Sequence, residues 1–547
     1  MKKQIQEFLR KEHPDIDFAV SYPPEGLGDY STNIAFLLAR QSLGEGGLAK
    51  KTGGNPQKLA LSIVEGLRNE FKNQFEKIEI AKNGFINFYL SKKYLLDNLS
   101  EVLKFPDIGK SKTVIVEYSQ PNIAKVMHVG HLRSTVLGDA LANIYEALGY
   151  KVIRWNYLGD WGTQFGKLIS AYKMWGKEEE VKTNPIETLN DLYVRFHDEL
   201  KNRPELEEKG REEFKKLEEG DEENRKLWKW FKNESLKEFE KIYRILGVKF
   251  DTYTGESSFE KDLKPLVEEL RNKGIAKESQ GAVIISLDQF NLLPALIQRS
   301  DGASLYLTRD IAALKYRIKE YKPEKILYVV GNEQSLHFDQ LKAIAKISGL
   351  DETEISHIKF GLILGKDKKK LSSREGGAVP IKELIDKAVE LSGKAVGISA
   401  LKYFILKEHR LSDIVFDWDR ILNLKGDSGP YLQYTYARLA SIKSKAGTIS
   451  KSKNLESLNK EIDVSLMKKM IKFPEILTLT VENNLTNILT LYLYELCNLI
   501  NRFYESVPVL KEDDEKIRNA RLGLVSLMIQ ILEKGFNLLG IEAPERI

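Results

Sequence analysis

A strand, a glycine-bearing turn and a long helix follow one another directly in this sequence, and they constrain its fold more than any other feature. Residues 114–116 are Val-Ile-Val, an apolar β-branched run typical of a strand buried on both faces of a parallel sheet. Pro121 ends the strand, and apolar residues then recur with helical spacing from 132 to 148. Gly149 stands where a left-handed cap would end the helix, and residues 151–158 read as the next parallel strand. This order predicts an α/β sheet of the kind that binds nucleotides.

The turn before the helix carries the sequence His128-Val129-Gly130-His131. Two histidines three residues apart can lie on one side of a helix N-terminus, where free backbone N–H groups and the helix dipole favour phosphate. Gly130 would let a flat ring or a phosphate approach the backbone. Imidazole N–H groups could then stabilise phosphate oxygens as negative charge develops. The turn is therefore a candidate phosphate site.

The same histidines allow two plainer interpretations, a capping pair or half of a zinc site. Zinc takes three or four ligands, and the sequence has neither an HExxH pattern nor a cysteine cluster. Its single cysteine, Cys497, lies in an apolar run and excludes an intramolecular disulfide. We therefore expect no structural zinc and no metal ligands among the site residues.

Length and composition limit the classes of protein to which this sequence can belong. A chain of 547 residues is long enough for three or four domains, and 42% hydrophobic with 30% charged residues are globular values. No run of about eighteen apolar residues could cross a membrane, and the N-terminus lacks the apolar core of a signal peptide. The net charge of +5 is small, so a polyanion would have to meet local basic patches. We expect a cytoplasmic protein without a membrane partner.

Residues 1–106 read as a separate small α/β domain. Alternating apolar and polar residues flank Asn83-Gly84, a strong hairpin signal. Asp29, Thr32 and Asn33 precede an apolar helix and are interpreted as turn or cap residues.

The α/β region is interrupted at about 177–250 by a segment dense in Glu and Lys with helical apolar spacing, whose charges we interpret as a solvated face. Alternation of strand and helix resumes afterwards, and residues 326–331 form another short apolar run that ends in glycine. Polar residues that follow such strands are site candidates, because ligands sit at the carboxyl ends of the strands in open α/β sheets.

From residue 396 to the end, helical periodicity replaces the strand signals and predicts an α-helical bundle. An aromatic and basic cluster could stack on and pair with unpaired bases, and it consists of Tyr431, Gln433, Tyr434, Tyr436 and Arg438. Tyrosine in a helix also packs in cores, so the pattern alone leaves both interpretations open.

Five stretches of the sequence carry a resemblance to a known family. PNIAK followed by HVGH resembles the first signature of class I aminoacyl-tRNA synthetases, and the flanks EYSQPNIAKVMHVGHLRSTVLGD and GDWGTQFG resemble the arginyl members. KLSSR is similar to a degenerate form of their second signature, KMSKS. Lys370 matches its first lysine and Ser372 its serine, whereas Ser373 replaces the second lysine. The DYSTN segment resembles the N-terminal extension that contacts the tRNA elbow, and the C-terminal residues resemble the anticodon-binding domain.

The resemblance implies an α/β multidomain protein. Its parts would be an N-terminal α/β domain at 1–106, a Rossmann-type catalytic domain at 107–395 with the helical insertion, and an α-helical anticodon-binding domain at 396–547. The implied reaction is ligation of L-arginine to tRNA(Arg) through arginyl-adenylate, with ATP and Mg²⁺. We expect a monomer.

Site residues follow from the matched motifs. The implied catalytic residues are His128, His131, Lys370 and Lys125, the last as a replacement for the missing signature lysine. The implied ATP-binding residues are His128, Gly130, His131, Lys370 and Ser372. The implied arginine-binding residues are Asn122, Glu256, Tyr306, Asp310 and Gln334. Carboxylates suit this ligand because a guanidinium is planar and carries five donors. The implied tRNA-binding residues are Tyr431, Gln433, Tyr434 and Arg438.

Two rival functions remain at this level. A nucleotidylyltransferase shares the HxGH turn but does not account for the helical bundle or the two acids. A non-catalytic RNA-binding relative is favoured by the degenerate KLSSR, whereas the retention of both signature histidines argues against it.

Overall fold

A computed structural model describes residues 1–41, 55–302, 305–371, 378–447 and 455–547. The expected contributions of Ser372 and of the substituted Ser373 lie outside these ranges. The chain forms two compact units, the first made of Met1–Phe105, Arg438–Thr478 and Tyr492–Leu532, and the second of Pro106–Ala437, Leu479–Leu491 and Glu533–Ile547.

The N-terminal part of the first unit is α/β, as predicted. Four strands pair antiparallel in the order β1-β2-β4-β3, and they are β1 Val20–Ser21, β2 Tyr30–Thr32, β3 Phe75–Ile80 and β4 Ile86–Leu90. The helices of this part are α1 Lys2–Glu12, α2 Ile34–Gln41, α3 Pro56–Glu70 and α4 Lys92–Leu99. β3 and β4 form the predicted hairpin, in which Gly84 has a φ of +85° that glycine accommodates without strain.

Asp29, predicted to be a turn or cap residue, is buried in the first unit. Its Oδ2 accepts a hydrogen bond from the backbone N–H of Leu90 at 2.8 Å and lies 2.9 Å from Lys468 Nζ. The neighbouring Tyr30 donates to Glu475 at 3.0 Å. This segment therefore packs onto helices that come from the C-terminal part of the sequence.

A parallel sheet with strand order β11-β10-β5-β6 is the centre of the second unit. The strands are β5 Thr113–Glu117, β6 Lys151–Trp155, β10 Lys325–Tyr328 and β11 Glu354–His357. The predicted strand at 151–158 is thus confirmed in its first five residues. Helix α5, Val129–Ala147, follows β5 and is almost entirely buried, and Gly149 after it has a φ of +87° as predicted.

The insertion is helical, as its periodicity predicted. After α6 Thr163–Trp175, its helices are α7 Glu178–Thr183, α8 Pro185–Glu199, α9 Glu205–Glu219 and α10 Glu222–Leu246. Helices α6 and α9 approach closely at Gly166, where a Cβ atom would lie 2.1 Å from the carbonyl oxygen of Gly210.

A three-stranded antiparallel sheet, separate from the parallel one, follows the insertion and α11 Glu260–Asn272. Its strands are β7 Ala276–Ser279, β8 Ala282–Ile285 and β9 Ala295–Gln298. Val283 and Ile297 from this sheet share one apolar core with Ile115 and Ile326 of the parallel sheet. The small sheet therefore extends the core of the second unit.

The remaining elements are mostly helical, as predicted for the C-terminal region. They are α12 Tyr306–Tyr321, α13 Ser335–Ile347, α14 Ile381–Ser392, α15 Lys394–Leu406, α16 Trp418–Ile421, α17 Gly429–Ala446, α18 Glu461–Met470, α19 Phe473–Asn483, α20 Thr486–Ser506 and α21 Glu515–Leu538, with the paired strands β12 Ile363–Leu364 and β13 Ile414–Val415. Among the described helices, none is long and apolar enough to cross a membrane.

Candidate active site

The two signature histidines cap helix α5 through one nitrogen each. His128 Nδ1 accepts from the backbone N–H of Gly130 at 3.1 Å, and His131 Nδ1 accepts from the backbone N–H of His128 at 3.1 Å. Their rings lie 3.9 Å apart. Since both Nδ1 atoms are acceptors, the remaining proton of each neutral ring is on Nε2. The capping interpretation is therefore correct but leaves both rings a donor for phosphate.

The environment keeps these imidazoles neutral. Burial and then the charge of Lys370 lower the pKa of His128, and burial followed by His128 lowers the pKa of His131 to about 3. A neutral ring with its proton on Nε2 can donate a hydrogen bond without first losing or gaining a proton.

The HVGH turn lines an open pocket of about 330 Å³. Lys370 reaches the same pocket from an exposed hairpin in which the N–H of Leu371 donates to the carbonyl of Ile363 at 3.0 Å. Gln334, at the start of α13, lines another side. The pocket thus unites five of the predicted residues, which are His128, Gly130, His131, Gln334 and Lys370.

Glu256 is the most electrostatically unusual of the predicted arginine-binding residues. Its pKa is raised to about 8, mainly by burial. The charge of Arg309 and a hydrogen bond from the Trp161 backbone oppose this shift, and the charges of Asp310 and Asp160 add to it. Its Oε2 atom is buried without a hydrogen-bond partner among the described residues. A buried carboxylate oxygen of this kind is suited to a charged donor from a ligand.

Asp310 is held by a histidine that the sequence analysis did not identify. His337 Nε2 lies 2.6 Å from Asp310 Oδ2, and both side chains are 22% exposed. The buried hydroxyl of Tyr157 has no partner among the described residues, and the charges of Asp310 and Glu256 help burial to raise the pKa of Tyr157. The carboxyl groups of Asp310 and Glu256 and the hydroxyl of Tyr157 therefore interact electrostatically.

An acid that the sequence analysis did not identify is Glu117, at the end of β5. It is paired with the buried Arg317 and accepts from Gln120 Nε2 at 2.7 Å. The Arg317 guanidinium lies 4.4 Å from the Trp155 ring and 5.3 Å from the Tyr157 ring. The only local signal was an acid at the carboxyl end of a strand.

Asn122 and Tyr306 differ in their surroundings. Asn122 Oδ1 occupies the space over Gly159, where a Cβ atom would lie 1.9 Å from it. That close approach explains the first glycine of GDWG. Tyr306 begins α12 and is 59% exposed, with its ring 5.8 Å from the Arg309 guanidinium.

Lys125 does not line the pocket at the HVGH turn. Its Nζ lies 5.2 Å from the ring centre of Tyr193 on α8, a cation–π contact with the insertion. A phosphate role would require its flexible stem to turn from this ring toward the HVGH turn.

The tyrosine-rich cluster of α17 divides into buried and accessible residues. Gln433 is fully buried and donates to the carbonyl of Glu542 at 2.8 Å, so its amide serves packing. Tyr434 is 39% exposed. Arg438 donates to Asn501 Oδ1 at 3.1 Å and lies 4.9 Å from the Tyr504 ring.

Comparison with known proteins agrees with this fold. Residues 95–396 match the family described as tRNA synthetases class I (R), catalytic domain. Residues 1–90 match the arginyl tRNA synthetase N terminal domain, and 432–547 match the DALR anticodon binding domain. The parallel sheet with its HxGH turn is thus that of a class I aminoacyl-tRNA synthetase.

Individual relatives define the specificity within this class. The chain is 43% identical over 547 residues to the arginine–tRNA ligase of Ligilactobacillus salivarius (strain UCC118), covering 95% of this chain and 94% of that protein. It is 38% identical to that of Clostridioides difficile (strain 630), covering 100% and 98%. The crystal structure of arginyl-tRNA synthetase from Plasmodium falciparum superposes with a TM-score of 0.83 at 28% identity, covering 100% and 98%. The chain belongs to the arginyl-tRNA synthetase family.

The enzyme therefore charges tRNA(Arg) with arginine and uses ATP as a substrate. The nucleotidylyltransferase and non-catalytic alternatives are wrong. Within the described ranges, no group of three or more His, Cys, Asp or Glu side chains could hold a metal ion.

Proposed function

We propose that the two acids Glu256 and Asp310 select arginine by its guanidinium, and that the HVGH turn and Lys370 stabilise the phosphates of ATP. The single observation that carries the proposal is the pair of electrostatically coupled carboxylates, Glu256 with an unpartnered buried oxygen and Asp310 fixed by His337. Five donors of a guanidinium can meet such acceptors in one plane.

In the proposed first step, the arginine carboxylate attacks the α-phosphate of ATP and pyrophosphate leaves. His128 and His131 donate Nε2–H to phosphate oxygens, and Lys370 neutralises charge on the leaving group. ATP enters as its Mg²⁺ complex, because oxygen-rich phosphates and a hard cation suit each other. Ser372 and Lys125 complete the proposed ATP contacts, while Asn122, Tyr306 and Gln334 complete those to arginine.

In the proposed second step, a hydroxyl of the tRNA 3′-terminal ribose attacks the arginyl carbonyl and AMP leaves. No covalent enzyme intermediate is required, so positioning and electrostatics supply the catalysis.

Tyr431, Tyr434 and Arg438 are proposed to contact the tRNA; the burial of Gln433 disfavours a direct role. The matched ranges support the proposed domain division at about residues 106 and 395. The monomeric state and the cytoplasmic location remain predictions.

Arginine and lysine should be discriminated strongly if the two acids read a guanidinium. A site built on several paired donors typically rejects an analogue that lacks them by roughly 10⁴-fold. Adenylate formation with each amino acid, measured with tRNA present, tests this for the wild-type enzyme and for Glu256→Gln and Asp310→Asn. The variants should lose much of the discrimination, whereas comparable use of lysine and arginine by the wild type would refute the assignment.

A further inference from the structure

Helix α10, at the end of the insertion, contacts the turn that carries Asp160. Lys232 Nζ lies 2.5 Å from Asp160 Oδ2, and Trp228 Nε1 donates to the carbonyl of Asp160 at 2.8 Å. Asp160 is fully buried, and its carboxylate also accepts from the backbone N–H and the hydroxyl of Ser257, at 2.9 and 2.7 Å. Ser257 directly follows Glu256, so a chain of short contacts leads from α10 to the arginine site.

The close packing around these contacts leaves Asp160 little room to move. A Cβ atom on Gly255 would lie 2.8 Å from Asp160 Oδ1 and 2.5 Å from the carbonyl of Leu158. The backbone N–H of Glu256 donates to that same carbonyl at 3.1 Å. A displacement of Asp160 would therefore displace the segment that carries Glu256.

The same helix also fixes the loops on the other side of the site. Ser235 Oγ accepts from the backbone N–H of Ala124 at 2.9 Å, two residues after the proposed ligand Asn122. Tyr243 OH lies 2.8 Å from Ser119 Oγ and accepts from Asn156 Nδ2 at 2.9 Å. These contacts are buried, so α10 acts as a scaffold along its length rather than at one point.

We propose that Lys232 is a positioning residue for arginine selection, which holds Asp160 and, through Ser257, sets the place and charge of Glu256. The proposal rests on the role of Glu256 as a guanidinium acceptor. On this proposal, the insertion contributes to amino acid recognition. The contribution comes from one cation, Lys232, on a helix whose other charged side chains are mostly exposed to solvent.

Electrostatics add a consequence that packing alone would not produce. The groups that act on the Glu256 carboxyl are Asp160 on the turn after β6, and Arg309 and Asp310 on α12. Lys232 is the cation that faces Asp160 from α10. Without Lys232, the uncompensated charge of Asp160 would disfavour ionisation of Glu256 more strongly.

The test is arginine binding to the full-length protein, measured by calorimetry across a pH series. In the wild type, affinity should rise with pH and level off above about 8, because Glu256 must be ionised to accept the guanidinium. Lys232→Met should weaken binding at neutral pH about tenfold and move this rise upward by about one pH unit. Lys232→Arg keeps the charge and should retain most of the wild-type pH dependence of arginine affinity. Lys229 is an exposed lysine on the same helix, and Lys229→Met should show the same pH dependence as the wild type.

Each outcome has a distinct meaning. If Lys232→Met binds with the wild-type profile, or if Lys232→Arg shows the same upward shift as Lys232→Met, the positioning role is wrong. The Glu256→Gln variant tests the role on which the proposal rests, namely that Glu256 accepts the guanidinium. This variant should bind arginine more weakly, and its arginine affinity should not rise with pH. An unchanged Glu256→Gln variant would instead refute the role of Glu256 itself. Unchanged ATP affinity in Lys232→Met excludes general damage to the fold as the cause.

Discussion

Each signature histidine uses its two nitrogens for different purposes. Nδ1 of both His128 and His131 caps the helix, which fixes the ring orientation and places the proton on Nε2. Lowered pKa values keep the rings neutral near pH 7. The rings are thus preorganised donors at a helix N-terminus, where phosphate is already favoured.

Lys125 is the residue whose proposed role is furthest from its observed contact. Lys125→Ala should cost roughly 2 to 4 kcal/mol of transition-state stabilisation for adenylate formation if the ammonium leaves the Tyr193 ring to stabilise phosphate charge. Arginine affinity should change little. Single-turnover adenylate formation in the presence of tRNA measures the effect.

Ser373→Lys provides the matched control for Lys125, because it restores the second lysine of the KMSKS pattern. Partial recovery of the rate in the double variant would support a shared function. A near-normal rate in the single Lys125→Ala variant would refute the proposed role of Lys125 at the phosphates.

Helix α5 packs unusually close to Tyr118, the residue that follows β5. A Cβ atom on Gly138 would lie 2.2 Å from the Tyr118 ring, which is itself fully buried. The glycine allows the helix to pack against the sheet so that its N-terminus reaches the pocket.

Gly138→Ala should therefore destabilise the protein by about 1 to 3 kcal/mol, the usual cost of overpacking a core. Gly66→Ala is the matched control, since Gly66 also lies in a helix but its Cβ atom would meet Phe8 at an ordinary 3.5 Å. The control should be neutral or stabilising by up to about 1 kcal/mol, because alanine favours helix. Chemical denaturation of both variants checks the pair, and equal effects would contradict the packing argument.

The elements near the HVGH turn could be predicted because their signals are local. The strand, turn and helix from Thr113 to Ala147 are specified by apolar periodicity, proline and glycine within one short stretch. The hairpin at Asn83-Gly84 is another such case. Its turn chemistry alone determines where the strands end.

Other parts of the site depend on pairs that are distant in sequence, and local patterns do not reveal them. His337 and Asp310 meet because α12 and α13 are neighbours, and Lys232 meets Asp160 because α10 of the insertion contacts the loops that follow β5 and β6. Each of these residues looks in isolation like a surface or capping residue. Family-like motifs identified Glu256 and Asp310, but not the residues that hold them.

Charging requires both activation of the amino acid and recognition of the tRNA. The second unit contains the pocket at the HVGH turn and the two acids proposed to bind arginine. The first unit joins the N-terminal α/β part to C-terminal helices through the partly buried Glu475, which accepts from Tyr22 and Tyr30 at 3.0 Å each. The two segments that resemble tRNA-contacting regions are thereby partly combined in one compact unit.

Tyr434 is the accessible tyrosine of α17 and the best candidate for stacking on an unpaired base. Tyr434→Ala should weaken tRNA binding by about 1 to 3 kcal/mol, the usual effect of losing a stacked ring. Tyr434→Phe keeps the ring and should bind nearly as well as the wild type. Affinity for tRNA(Arg) measured at one fixed salt concentration tests this, and equal losses in both variants would rule out stacking.

The most direct test of the central claim is charging of unfractionated tRNA by the wild-type protein with each standard amino acid in turn. A site with paired carboxylates for a guanidinium predicts ATP-dependent ester formation with arginine alone, and lysine at background. Efficient charging with any other amino acid, or none with arginine under conditions where the protein is folded, would contradict this account.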